Sequence, residues 1–138
     1  MTTLSQLSNY AQLAMLNWML TTTPMTGPSA RPTTWFLALS TTQPTSSAGS
    51  VTEPVGSGYA RQSVTFGTPS GNPGQAANTN LLQFTASGAT WGTIIYGLIY
   101  DALTLGNCWA MGPLTTSQII NSGDTLQFQP SALAVSLT

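Results

Sequence analysis

Apart from its tyrosines, this 138-residue chain offers little ionisable chemistry: three carboxylates (Glu53, Asp101, Asp124), two arginines (Arg31, Arg61) and one thiol (Cys108). It has no histidine, so the commonest general base and metal ligand is missing. A hydrolytic site would therefore have to rest on carboxylates, and these are far apart in sequence, each within a loop or turn. Asp101 and Asp124 are also what turn chemistry asks for, a short side chain that accepts from nearby backbone N–H groups. Cys108 lies among Asn107, Trp109, Ala110 and Met111, with no neighbouring cation to lower its pKa, and reads as a packed thiol. The turn Asn121–Asp124 supplies a single carboxylate, too few for calcium. The glycines from Gly67 to Gly74 come without a phosphate-loop lysine. These residues predict a non-enzymatic protein with no metal and no cofactor.

Arg61 stands in a run that reads as a strand, and its five donors require a carboxylate or several carbonyls. An internal ion pair or carbonyl clamp is the plain reading, and a ligand contact the alternative. Trp35, Trp91, Trp109 and Tyr59 could in principle stack on sugar rings. Trp35 and Trp109 fall inside strand patterns, where a large ring fills space between sheets. Trp91 and Tyr59, at strand beginnings, are the better carbohydrate candidates. Arg61, Trp91, Asp101 and Asp124 are thus expected to be structural residues.

Five charged residues in 138 compares with roughly a quarter in an ordinary soluble domain. The apolar content of 41% is nevertheless that of a globular protein. The chain should fold and present a neutral surface of hydroxyls and amides that lacks the charge repulsion keeping monomers apart. A net charge of −1 argues against nucleic acid, whose phosphates demand several basic contacts. The N-terminal residues lack a basic signal-peptide region, and no run approaches the roughly twenty apolar residues of a membrane span. Synthesis in a cytoplasm, followed by a soluble life or entry into an assembly, is expected.

A single domain is predicted, with a helical arm over residues 1–23 and a β-domain over 33–138. Leu4, Leu7, Ala11, Ala14, Met15 and Trp18 recur at helical spacing, Thr3 and Gln6 fit a capping box, and Thr21 to Thr23, Pro24, Gly27 and Pro28 provide a stop. Leu13, Leu16 and Leu20 broaden the apolar face. The helix either packs on its own sheet or contacts a neighbouring subunit, and Leu4, Leu7, Ala11, Met15 and Trp18 are the subunit-contact candidates.

Short β-branched and aromatic runs then alternate with Gly, Pro, Ser and Asn clusters. Strands are predicted at 34–40, 59–66, 81–85, 91–100, 107–111, 118–120, 125–129 and 133–137, with long loops at 41–58 and 67–80. The run Trp91–Tyr100, apolar on both faces, should be central, with Ile94, Tyr96, Leu98 and Tyr100 on one side. Along Tyr59–Phe66, alternation groups Ala60, Val64 and Phe66 against Arg61, Ser63 and Thr65. The fold class is mainly β, a β-sandwich or jelly-roll-like domain preceded by an amphipathic helix.

Leu37–Pro44 (LALSTTQP), Gly58–Phe66 (GYARQSVTF), Trp91–Asp101 (WGTIIYGLIYD), Gly106–Leu114 (GNCWAMGPL) and Asn121–Phe128 (NSGDTLQF), in this order and spacing, resemble a family of small tailed-bacteriophage virion proteins. The resemblance covers about three quarters of the chain and includes no catalytic motif. It implies a virion structural protein, either a capsid cement or decoration protein or one of those loosely labelled tail fibre proteins. With the scarcity of charge and the Thr-rich loops, the leading expectation is a cement protein. It would bind the outside of an icosahedral head between major capsid protein subunits, as a homo-oligomer, a trimer. A tail, baseplate or tail-fibre component in low copy number is the first alternative, and a carbohydrate-binding adhesin module the second. The expected location is the virion, after synthesis in the host bacterial cytoplasm.

Overall fold

A computed structural model describes residues 1–22 and 31–137. The helix stop expected at Thr23, Pro24, Gly27 and Pro28 lies outside the described residues. The chain is mainly β, and its order is β1 (Thr2–Leu4), β2 (Gln6–Leu7), α1 (Asn9–Leu20), β3 (Trp35–Ser40), β4 (Gln62–Val64), β5 (Gln75–Ala77), β6 (Leu82–Thr85), β7 (Gly92–Tyr100), β8 (Cys108–Ile120), β9 (Thr125–Phe128) and β10 (Leu133–Ser136). Five strands form a sheet in the order β2-β8-β7-β3-β4, three form β1-β10-β5, and β6 pairs with β9. Leu37, Leu39, Ile94, Ile99 and Ala110 from the first sheet share one apolar core with Leu4, Leu82, Phe84, Phe128 and Leu133 from the other two. This layering is consistent with a β-sandwich.

β7 is central, as its two-sided apolarity requires, and pairs antiparallel with both β3 and β8. Its faces are not those of simple alternation. Between Ile94 and Tyr96 the partner strand advances from Gln118 to Pro113, and this irregularity turns Ile94 into the main core while Leu98 and Tyr100 face the opposite side of the sheet. A second shift pairs Ile99 with Ala110 and Tyr100 with Cys108, leaving Trp109 as the extra residue of a bulge, a device that re-aims a side chain. The runs 107–111 and 118–120 belong to one strand, β8, because the intervening residues stay extended although they leave the β7 register.

The opposite side of the five-stranded sheet is closed by the chain's own long loop. Ala48 and Val51 pack there on Ala38, Leu98, Tyr100, Cys108 and Met111. The predicted loop 67–80 contains β5, which pairs with β10. Buried Asn78 fixes it: its Nδ2 donates to the carbonyls of Asn80 (2.8 Å) and Gln129 (3.0 Å), and its Oδ1 accepts from the Leu133 N–H (2.9 Å).

The start of the chain corrects the helical arm. Thr3 and Gln6 lie in strands and form no capping box, and α1 begins only at Asn9. β1 runs parallel to β10, pairing Thr2 with Leu133, whereas β2 runs antiparallel to β8, pairing Gln6 with Met111. Eight residues therefore cross from one sheet to the other, with fully buried Leu4 in the core between them. The crossing is tight: a Cβ at Gly112 would sit 2.8 Å from the Thr3 carbonyl oxygen and 2.9 Å from the Leu4 Cα, so β8 needs glycine there.

Candidate functional site

Ser8 starts α1. Its backbone is extended, as an N-cap requires, and its Oγ accepts from the Ala11 N–H at 3.1 Å while donating to the Cys108 carbonyl. The Ser8 N–H donates to the Trp109 carbonyl (3.0 Å) and that of Asn9 to the Ser46 carbonyl (2.9 Å). The first turn is thereby tied to both β8 and the long loop. Tyr10 meets Trp109 edge to face, with centroids 5.4 Å apart, and Trp109 meets Trp35 in the same way at 5.5 Å. Ala11 is the one buried residue of the helix.

Beyond that turn the helix leaves the body. Leu13 is 69% exposed, Leu16 51%, Trp18 60%, Met19 61% and Leu20 75%, and the twelve residues carry no charge. Single exposed apolar residues are ordinary, but contiguous ones mark interaction sites. Under the helix an apolar cleft of about 340 Å³ is lined by Leu7, Met15, Trp35, Phe66, Ile99 and Val135, among others.

The five subunit-contact candidates divide. Leu4 is fully buried and Leu7 half-buried, both in strands before the helix, so neither belongs to a helix face. Ala11 is buried against the body and Met15 half-buried at the cleft. Trp18 alone is open to a partner, and with it stand Leu13, Leu16, Met19 and Leu20. Sequence reasoning gave the leucines a secondary place because it set the helix phase from Leu4 and Leu7.

Arg61 is 9% exposed and immediately precedes β4, so it points inward while Ala60 is exposed, the reverse of the alternation expected for one strand. Its Nε and Nη2 donate to the two Glu53 oxygens at 3.0 and 2.8 Å, and its Nη1 to the carbonyls of Ala102 (2.9 Å) and Leu105 (2.8 Å). The guanidinium lies 3.7 Å over the Tyr100 ring centroid. Tyr59 Oη donates to Glu53 Oε1 (2.6 Å) and accepts from the Leu39 N–H (3.0 Å). Burial acts to raise the Glu53 pKa, but the Arg61 and Tyr59 bonds outweigh it and the net shift is downward. Burial pushes the Tyr100 hydroxyl up to about 12. Glu53, the anchor of this cluster, was counted in the sequence among the three carboxylates but not assigned as the partner of Arg61. The signal was there: a buried arginine needs a carboxylate, and only three exist.

Asp101 accepts from the Asn107 N–H (2.7 Å), Asn107 Nδ2 (3.2 Å) and Trp109 Nε1 (3.2 Å). Its burial alone would raise its pKa, yet these bonds bring it below the ordinary value. Gly106 closes this turn at φ +73°, where a Cβ would sit 2.6 Å from Asp101 Oδ1. Asp124 accepts from the Asn121 N–H at 2.9 Å, across a tight turn. Burial pushes the Cys108 thiol up to about 12, which leaves it a packing group. Trp91 is 7% exposed, donates from Nε1 to the Ser57 carbonyl (3.1 Å) and meets Tyr59 edge to face at 5.4 Å. Both rings pack at the core instead of forming an open platform. Among the described residues no cluster of three or more His, Cys, Asp or Glu could hold a metal ion, and no helix is long and apolar enough to cross a membrane.

The arrangement can bind by apolar contact through α1 and hold its loops rigid, and the carboxylates are engaged in structure. No curated protein matches the chain. A family model, Podophage GP4 fiber I protein gp80, matches residues 6–136, nearly the whole chain and including every strand from β2 to β10. The chain thus belongs to the podophage GP4 fiber I protein gp80 family, a family of phage virion structural proteins.

Proposed function

We propose that this protein is a non-enzymatic fibre-type subunit of a podophage particle that attaches to other virion proteins through the exposed apolar side chains of α1. The observation that carries the reading is five large apolar side chains, each at least half exposed, on a helix without a charge. Such a face is costly in water and favourable once buried, because apolar area removed from water contributes about 25 cal/mol per Å². The family's description favours a fibre role. Capsid cement, binding between major capsid protein subunits, is the second reading, and the neutral Thr-, Ser- and Asn-rich surface favours it because stable contacts of that kind depend on area and shape. A carbohydrate-binding adhesin loses support from the packing of Trp91 and Tyr59. Quantitative mass spectrometry of purified virions tests these readings. A copy number far below that of the major capsid protein, with antibody label at the tail, supports the fibre subunit. A number comparable to the capsid protein replaces it with cement, and absence from the particle overturns both.

A further inference from the structure

β5 and β6 pair with β10 and β9 as two halves of one bent ribbon. Ala77 lies opposite Ala134 and Leu82 opposite Phe128, five steps along one side against six along the other. The extra residue makes a bulge between β9 and β10, where Ser131 sits at φ +68°. On the side of the ribbon away from β5, β10 is paired with β1. On that same side β9 has no strand beside it among the described residues, its pairing being with β6. The lane that β1 takes along β10 therefore runs on as a groove along β9.

The register shows which groups face this groove. The Ala86 N–H donates to the Asp124 carbonyl (2.9 Å). Alternation from that bond turns the N–H and C=O of Leu126 and Phe128 toward β6, and those of Thr125 and Gln127 away from it. The groove, about 240 Å³, runs between Leu126–Phe128 and the stretch of β8 from Leu114 to Thr116, with Met1 at one end. That stretch of β8 is where the strand leaves its register with β7. The end is fixed: the Thr2 N–H donates to the Ala132 carbonyl (2.8 Å) and Thr115 Oγ1 to the Met1 carbonyl (2.6 Å).

We infer that this groove is a strand-acceptor site, in which an extended segment of another protein of the particle lies along β9, in line with β1. The outward groups of Thr125 and Gln127 supply the ladder bonds, and β9 gives room for about four residues of extended chain. Main-chain bonds provide affinity in such an addition, and alternate side chains provide selectivity. The guest's inward side chains, those opposite Leu126 and Phe128, are small and apolar, because Leu114 and Phe128 beneath them are already buried in the core. A second copy of this chain has no spare strand to give. All the strands of the described residues are paired within the chain, and residues 23–30 carry Pro24 and Pro28, which cannot donate to a ladder. The donor is a different polypeptide, and its place in the particle rests on the virion role proposed above.

The test is amide hydrogen exchange of the whole chain, free in solution and in purified particles. Exchange at Thr125 and Gln127 is expected to be fast in the free chain and slower by about tenfold or more in the particle, while Leu126 and Phe128, bonded to β6, are slow in both. A second measurement needs no particle and no substitution. The full chain is extended before Met1 by five residues alternating threonine and valine and a Gly-Gly joint, so that the added segment runs back along β9. In a control extension the valines are proline. The first extension is expected to raise the melting temperature by about 3 °C or more, and the control to leave it unchanged. Unchanged exchange in particles overturns the strand site and leaves the virion role standing, whereas absence of the chain from particles overturns both. Slow exchange at Thr125 and Gln127 in the free chain, or equal melting temperatures for the two extensions, shows that the edge does not accept a strand.

Discussion

The two ends of the charge scale in this molecule are used in opposite ways. Around Arg61 a carboxylate, two carbonyls and an aromatic face converge on one guanidinium, a tyrosine hydroxyl donates to the same carboxylate, and three separate pieces of chain are fixed by the cluster. Along α1 there is no charge, and past the first turn little holds the helix down. The difference teaches that the buried charge pair works inward, stiffening loops, and that under the proposed function recognition is left to neutral surface. Buried charge binds strongly only with an exact partner, whereas neutral apolar surface accepts a neighbour wherever shape allows.

The largest effect that would break this contrast is at the clamp. Arg61→Ala strands Glu53 and two carbonyls in a half-buried site and should cost about 3–5 kcal/mol of stability, read by urea denaturation. A loss below about 1 kcal/mol would mean that the clamp is not structural. Leu4→Ala tests whether the sheet-crossing segment belongs to the body. Its fully buried side chain predicts a loss of about 2–5 kcal/mol, against almost none if residues 1–8 were a loose arm. Ser8→Ala removes the cap and leaves the Cys108 carbonyl without its donor, for about 1–2 kcal/mol, visible as a lowered melting temperature. At the other extreme, Leu16→Gln should change the stability of the isolated chain by no more than about 0.5 kcal/mol, which sharpens the contrast between a rigid clamp and a face held in reserve.

The clamp also predicts a pH response. Glu53 and Asp101 are both shifted downward in the folded chain, so the unfolded chain takes up protons first as pH falls. Their contribution is present above the ordinary carboxylate pKa of about 4 and is lost as pH falls through the lower folded values. With no histidine, the melting temperature should be flat from mildly acidic to mildly alkaline pH, decline in acid, and decline again above about pH 9, where the unfolded thiol ionises while that of folded Cys108, pushed up to about 12, does not. Thermal melts across that range check it.

The strands at 35–40, 82–85, 92–100, 125–128 and 133–136 were legible because period, β-branching and flanking turns agree there. The first eight residues were not. Leu4 and Leu7 happen to fall in phase with Ala11, and a helical period over so short a run does not distinguish a helix from two strands that bend between sheets. The strand at 75–77 was hidden in a Gly- and Asn-rich stretch, since what fixes it, Asn78, acts through three bonds to residues remote in sequence. The faces of β7 were misread because a register shift leaves no local mark. Turn aspartates 101 and 124 were legible, since their bonding partners are neighbours in the chain.

The pairing of Thr2 with Leu133 has a consequence in time. The first strand to be synthesised finds its hydrogen-bonding partner only when nearly all the other strands have been made, and Leu4 cannot fill the core before then. Closure of so long a loop makes folding slow relative to helix formation. The cap of α1 waits on the same stretch of chain, because Ser8 bonds to Cys108 and Trp109 and the helix cannot be fixed on the body before β8 exists.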